Sequence, residues 1–172
     1  SLDGSSIEFD LVENATWHDG TPVTAEDVKF TYEYWRDNQL YRQGGWLNAY
    51  LDNVEVLDDY TGVIHLKEPY AYYFIKSLFP SVYIVPKHVW EKVEKPRDYG
   101  EPDGMIGCGP FIFERIDRDA DTAYFKANPN YFRGLPAIDG IEWKHFRTVD
   151  SALLALKKGE IDVLIDESPE GV

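Results

Sequence analysis

The sequence predicts an α+β fold with mixed β-sheets and short flanking helices, in two subregions joined near residue 104. Three observations support this prediction. Hydrophobic residues make up 44% of the 172 positions, which is enough to bury a core. Segments of alternating apolar and polar residues, typical of strands, are interspersed with segments of helical spacing. Residues 94–107, which are rich in Pro, Gly, Asp and Glu, separate the two groups of segments.

The first subregion begins with a strand and a capped helix. Residues 7–12 alternate apolar and acidic side chains, which predicts a half-buried strand. A Gly/Pro turn follows at residues 17–22. Thr24 is well placed as an N-cap, and Asp27 three positions later completes a short form of the capping box. We therefore expect a helix over roughly 24–37.

A loop and a hairpin complete the first subregion. Asn38 and the Gly44-Gly45 pair indicate a loop after the helix. Residues 53–57 and 62–67 are typical of two strands joined by a polar turn, which predicts a hairpin. Two short helices are expected after it, at residues 72–78 and 87–93.

The second subregion is predicted to contain strands and one helix. Residues 111–116 and 122–126 read as two strands. A further strand at 141–146, a helix at 150–158 and a last strand at 161–165 follow. This order predicts a β-α-β unit, in which the two strands would pair in parallel through a right-handed crossover.

The charge balance excludes several classes of partner. The chain has 17 basic and 31 acidic side chains, for a net charge of -14. Such a chain repels nucleic-acid phosphates and anionic membrane surfaces, so no nucleic-acid partner is expected. No apolar run approaches the ~18 residues of a membrane span. Residues 1–6 are polar and lack the apolar segment of an export signal.

No motif predicts catalysis, a metal site or a cofactor. The four histidines have no metal-ligand spacing, and neither a phosphate-binding Gly-rich motif nor a nucleophile elbow is present. Cys108 is the only cysteine, so an internal disulfide is excluded. A reactive thiol needs a helix N-terminus or a paired base to lower its pKa, whereas Cys108 is followed by Pro110 and a strand. We interpret Cys108 as small, buried and inert.

The segment Gly107-Cys108-Gly109-Pro110-Phe111 has two interpretations. Glycines on either side of one small residue allow the backbone to approach another group closely. Pro110 then fixes the conformation in which the chain begins the next strand. The segment is either a plain turn or part of a binding site.

Three separated segments resemble one protein family, in the order found there. They are Trp17–Thr31, then Met105–Phe111 followed by Asn128–Asp139, and finally Ser151–Asp162. Together they are similar to the peptide/nickel (oligopeptide- and dipeptide-binding) extracellular solute-binding proteins of ABC transporters. The resemblance spans nearly the whole chain.

The resemblance implies a fold and a place for this chain within it. Family members are longer, and they fold as a bilobed, three-domain clamp of the periplasmic-binding-protein type. Residues 1–104 would form most of the small accessory domain, and residues 105–172 part of the first lobe. The chain would then be a fragment, and the second lobe would be missing from it.

The resemblance also implies a function without chemistry. The protein would capture peptides or related solutes outside the cytoplasmic membrane, in the periplasm or as a cell-surface lipoprotein. It would deliver them to the ABC permease subunits, with no cofactor. An oligosaccharide-binding protein or a carbohydrate-binding module is the alternative, because Trp and Tyr rings can stack on sugars. A hydrolase that uses Cys108 is the interpretation we reject.

The ligand-binding residues implied by the resemblance come from three segments. The Gly107 loop would lie at the edge of the cleft, where Cys108 replaces the more usual Thr or another small residue. Arg42 would pair with a carboxylate or a chelated metal, and Trp46 would stack. The full set is Tyr41, Arg42, Trp46, Tyr83, Cys108, Gly109 and Phe111.

Overall fold

The computed structural model describes residues 3–100 and 102–165, and at positions 41, 42, 73 and 77–79 it describes the backbone alone. The strands of this part of the chain are β1 (Ser6–Asp10), β2 (Leu51–Val56), β3 (Thr61–Leu66), β4 (Phe111–Asp117), β5 (Thr122–Ala127) and β6 (Gly140–Lys144). The α-helices are α1 (Ala25–Asp37), α2 (Tyr41–Tyr50), α3 (Ala71–Tyr73), α4 (Lys87–Trp90) and α5 (Val149–Lys158). A π-helical turn, Phe74–Leu78, continues α3.

The first sheet has β3 between β1 and β2, antiparallel to both. The predicted hairpin is therefore confirmed, with Val54 paired to Ile64. Both of these side chains are almost fully buried. They lie on the face of the sheet that packs against the helices, since alternate residues of a strand point to the same side.

Helix α1 covers this face of the first sheet. Val28, Tyr32 and Trp35 follow one another at helical spacing and are all buried. They belong to a single cluster, which also contains Leu40, Leu47, Leu51, Val54, Ile64, Leu66, Phe74 and Val82. We call this cluster the first core.

Helix α2 forms where the sequence predicted a loop. Leu47 of this helix is fully buried in the first core, and this packing overrides the low helix propensity of the Gly44-Gly45 pair. Gly44 also has a steric role. A Cβ at this position would lie 2.6 Å from the carbonyl oxygen of Trp35 and 2.5 Å from the backbone of Gln39. The glycine therefore permits the close contact of α1 with α2.

The second sheet is antiparallel, with β5 between β4 and β6. Helix α5 follows it and has a local signal at each end. The Thr148 side chain accepts a hydrogen bond from the Ser151 N–H at 3.2 Å, and Gly159 closes the helix in the left-handed region with φ 71°. Large apolar side chains of this region stay exposed, namely Ile116, Trp143, Leu153, Leu154, Val163 and Ile165.

The predicted parallel pair is the main error of the sequence interpretation. Residues 161–165 form no strand, and both sheets of the described chain are antiparallel. Val163 and Ile165 are exposed, and no strand of residues 3–100 and 102–165 lies beside them to form the ladder hydrogen bonds that define a strand. The α+β class itself is confirmed. The assignment of residues 1–104 and 105–172 to two different domains stays a prediction.

Candidate functional site

One buried carboxylate fixes the turn that precedes α1. Asp27 is only 5% exposed, and its Oδ2 accepts hydrogen bonds from the indole N–H of Trp17 at 3.3 Å and from the backbone N–H of Thr24 at 2.9 Å. Its Oδ1 accepts from the backbone N–H of Lys87 at 2.8 Å. A buried charge is tolerated where donors satisfy its oxygens. The predicted capping box is confirmed, and Asp27 also joins the turn to the start of α4.

Two side-chain contacts on the surface also join the turn before α1 to α4. Asp19 Oδ2 lies 2.7 Å from His88 Nε2, and Glu26 Oε2 accepts from Lys87 Nζ at 2.8 Å. Burial alone would raise the pKa of Asp19, but hydrogen bonds from Thr21 and His88 outweigh it and the pKa lies below its usual value. The hydrogen bond with Glu26 raises the pKa of Lys87, and the same bond lowers the pKa of Glu26.

His18 holds the loop that contains Gly107 and Gly109. The backbone N–H of His18 donates to the carbonyl of Gly107 at 2.8 Å. The N–H of Gly107 donates in turn to His18 Nδ1 at 3.2 Å, and His18 Nε2 lies 3.1 Å from the carbonyl oxygen of Gly109. Both ring contacts are hydrogen bonds only in the neutral tautomer with the proton on Nε2. Residues nearly ninety positions apart are thus joined by three hydrogen bonds.

Asn128 holds the same loop from the end of β5. Its side-chain N–H donates to the Gly109 carbonyl at 3.1 Å, and its backbone N–H donates to the Pro110 carbonyl at 2.8 Å. Asn128 is only 4% exposed, so water cannot readily replace these two hydrogen-bond partners. Phe111 then opens β4 opposite Ala127. The predicted site residues Cys108, Gly109 and Phe111 therefore lie in one firmly held segment.

The Cys108 side chain packs against a second buried cluster. This cluster, which we call the second core, consists of Ala15, Trp17 and Val23, with Ile84, Ile106, Cys108 and Phe132 packed around it. Burial raises the pKa of the Cys108 thiol. A thiol with a raised pKa holds little thiolate at neutral pH and is a poor nucleophile. The geometry agrees with the interpretation of Cys108 as inert.

The remaining predicted residues lie around the first core. Trp46 is half-buried against it, whereas Tyr83 is 74% exposed. Ile84, which follows Tyr83, packs against both cores and so connects this region to the Cys108 loop. Tyr41 and Arg42 begin α2, and their side chains lie outside the described atoms.

Three residues that organise the site were missed as site residues in the sequence interpretation. The segment that begins at Trp17 was interpreted only as a turn and a helix start. Its His18 also bonds to backbone groups of the Gly107–Gly109 loop, and its Asp27 accepts from the backbone N–H of Lys87. Asn128 was assigned to a turn. The sequence does show a His beside a turn and an Asn before a Pro, and both side chains can hydrogen-bond to backbone groups. It does not show which backbone groups they bond to, because these lie far away along the chain.

Residues 3–100 and 102–165 contain no group of three or more His, Cys, Asp or Glu side chains arranged to bind a metal ion. They also contain no helix long and apolar enough to cross a membrane.

Comparison with known proteins gives relatives along nearly the whole chain. A protein of Brucella ovis, whose name describes an ABC transporter peptide-binding protein, is 31% identical over 164 residues, which are 94% of this chain and 30% of that protein. The oligopeptide-binding protein AppA of Bacillus subtilis, solved with a nonapeptide, superposes with a TM-score of 0.75 at 27% identity and covers 92% of this chain and 32% of its own.

A third relative was solved with a different kind of ligand. A periplasmic oligopeptide-binding protein of Thermotoga maritima, bound to mannohexaose, gives a TM-score of 0.77 at 28% identity, covering 92% of this chain and 30% of that one. The chain thus spans about a third of the length of these relatives. The family of bacterial extracellular solute-binding proteins, family 5 Middle, matches residues 1–172. The chain belongs to the family 5 extracellular solute-binding proteins.

Proposed function

We propose that this chain is part of the substrate-binding component of an ABC importer, which captures peptides outside the cytoplasmic membrane for a permease. The observation that carries the proposal is the match to the solute-binding family along all 172 residues. The relatives from Brucella ovis and Bacillus subtilis are named as peptide- and oligopeptide-binding proteins. The protein would act in the periplasm or as a cell-surface lipoprotein, and a second lobe would complete the ligand cleft.

The proposed mechanism is capture without a chemical step, so the protein is not an enzyme. An extended peptide would be held through its backbone, and its side chains would lie in wet pockets that accept many sequences. Closure of the lobes about a hinge would bury the peptide and mark the loaded state. The raised pKa of the Cys108 thiol supports this view, because the residue lacks the activation that a nucleophile needs.

The proposed ligand contacts are those implied by the resemblance. Cys108, Gly109 and Phe111 lie in the loop held by His18 and Asn128. Tyr83 is exposed enough to contact a solute, and Trp46 presents only part of its ring. Tyr41 and Arg42 complete the proposed set.

An oligosaccharide is the second candidate ligand. The mannohexaose complex of the Thermotoga maritima relative favours it, as does the exposed ring of Tyr83, because aromatic rings can stack on the faces of sugars.

A thermal-shift screen of the intact protein tests the proposal. A set of synthetic nonapeptides of varied sequence and mannohexaose would be compared. A nonapeptide present at a thousand times its Kd should stabilise the protein by about 4 kcal/mol, seen as a clear rise in Tm. A rise with mannohexaose alone would favour the second candidate. No rise with any nonapeptide would contradict peptide capture.

A further inference from the structure

The His18 ring makes both of its hydrogen bonds in only one protonation state. Its Nδ1 accepts from the Gly107 N–H at 3.2 Å, and its Nε2 donates to the Gly109 carbonyl at 3.1 Å. An imidazole with one acceptor nitrogen and one donor nitrogen is neutral. In the charged ring both nitrogens carry protons, so Nδ1–H would point at the Gly107 N–H. A positive charge on His18 therefore removes one ring bond and leaves the other in place.

We propose that His18 is a pH-sensitive switch of this loop. A proton taken from solvent by Nδ1 releases the Gly107 N–H, whereas the bond from Nε2 to the Gly109 carbonyl remains and becomes charge-assisted. Histidine is the side chain that ordinarily changes charge between about pH 5 and 8. The inference goes beyond the proposed function, because it concerns how the loop responds to acid and not which solute the protein binds.

The surroundings of His18 allow it to take up a proton. The residue is half-buried, so solvent reaches it. The charged and titratable side chains on the segments that meet at this turn and loop are Asp19, Glu26, Asp27, Lys87, His88, Asp103, Cys108 and Arg133. The carboxylates of Asp19 and Asp27 favour a charged ring through space. Within residues 3–100 and 102–165 neither of them accepts a hydrogen bond from the ring, because their oxygens bond to other donors.

A second histidine contact of the same turn has the opposite dependence on acid. Asp19 Oδ2 lies 2.7 Å from His88 Nε2, and a proton on His88 makes this contact an ion pair. Acid thus strengthens the bond between the turn and α4 while it removes the bond from Gly107 to His18. The turn stays on the first region, and the loop that leads into β4 loses one of its attachments.

Hydrogen exchange of the Gly107 amide tests the switch in the intact protein. The measured rate is divided into the rate of an unstructured peptide at the same pH, which gives a protection factor free of the intrinsic effect of pH. This factor should fall about tenfold between pH 7.5 and pH 5, since one hydrogen bond is worth about that ratio. The Asn128 amide, which donates to the Pro110 carbonyl, is the internal reference and should change less than twofold.

Two variants separate the two histidines of the turn. His18→Asn retains an oxygen that can accept from the Gly107 N–H but does not titrate, so its Gly107 protection should change less than twofold between the two pH values. His88→Gln removes the other histidine and should keep the tenfold fall. A tenfold fall in His18→Asn, or its loss in His88→Gln, would overturn the assignment to His18.

The ¹⁵N resonances of the His18 ring give a readout that needs no substitution. At pH 7.5 the proton should be on Nε2 alone, and at pH 5 both nitrogens should be protonated. A ring that stays neutral at pH 5 would refute the switch. A ring that becomes charged while Gly107 protection changes less than twofold would refute it as well.

Discussion

The two sheets of this chain differ in what covers them. The first sheet packs against α1 and α2 around a continuous core, in which Leu47, Leu51 and Ile64 are fully buried. Among the described apolar side chains of the second region, residues 105–165, only the small Ala152 and Ala155 of α5 are buried, while Trp143 is 55% exposed. Hydrophobic burial is the main favourable term in folding. The stability of the described chain therefore comes mostly from its first region.

The sharpest test of this contrast compares two leucines in two ten-residue helices. Leu47 in α2 is 0% exposed, whereas Leu154 in α5 is 52% exposed. Leu47→Ala should lower the free energy of unfolding by about 2–5 kcal/mol, because it removes buried methyl groups and leaves a cavity. Leu154→Ala should change it by less than about 0.5 kcal/mol. Urea titration followed by circular dichroism measures both values, and equal losses would refute the contrast.

A second pair of variants compares two aspartates in the first turn of a helix. Asp27→Ala leaves the buried indole N–H of Trp17 and the part-buried backbone N–H groups of Thr24 and Lys87 without their acceptor, and it should cost about 3 kcal/mol. Asp150→Ala removes an exposed charge near the start of α5 and should cost less than about 1 kcal/mol. The same titration measures both. A loss below 1 kcal/mol for Asp27→Ala would mean that water replaces its bonds.

Two glycines should respond to the same substitution with opposite sign. Gly159 ends α5 with φ 71°, so Gly159→Ala should destabilise the protein by about 1 kcal/mol. Gly45 lies within α2 next to open space, and Gly45→Ala should stabilise it by about 0.5–1 kcal/mol. The difference in Tm between the two variants is the measurement. A destabilising Gly45→Ala would show that α2 is not helical in solution.

The smallest expected effect is a change in the acid dependence of stability. Folding lowers the pKa of Asp19 below its ordinary value of 3.8. Its contribution is thus complete above pH 4 and is lost as the pH falls through the lower folded value. Asp19→Asn should flatten the fall in stability below pH 4 relative to Asp119→Asn, an exposed control in the second region. If stability falls equally with decreasing pH in the two variants, Asp19 does not contribute to the acid dependence of stability.

The class of fold and most elements could be predicted from local patterns. Helix α1 begins at its predicted cap, and the hairpin of β2 and β3 lies within one or two residues of its predicted bounds. Helix α2 could not be predicted, because its glycines are helical only through contacts with α1 and the buried Leu47. The strand expected at 161–165 failed for the opposite reason, since its pattern suits a strand but no neighbour pairs with it.

The candidate site was predictable only in part. The two glycines around Cys108 indicated a loop that another group approaches closely, and one such group is the His18 ring. The partners His18 and Asn128 act through bonds to backbone carbonyls, and these carry no residue-specific signal in the sequence. The ligand contacts stay predictions for all seven residues, namely Tyr41, Arg42, Trp46, Tyr83, Cys108, Gly109 and Phe111.

The close contact of α1 with α2 decides where a fluorescent reporter can be attached. A side chain at Gly44 would collide with backbone atoms of Trp35 and Gln39, whereas a Cβ at its neighbour Gly45 would meet no atom within 4 Å. Gly45→Cys therefore offers an attachment point for a thiol-reactive dye on a helix whose position the first core fixes. The native thiol of Cys108 should react more slowly than the new cysteine, because burial limits access to it and raises its pKa, which lowers its thiolate fraction.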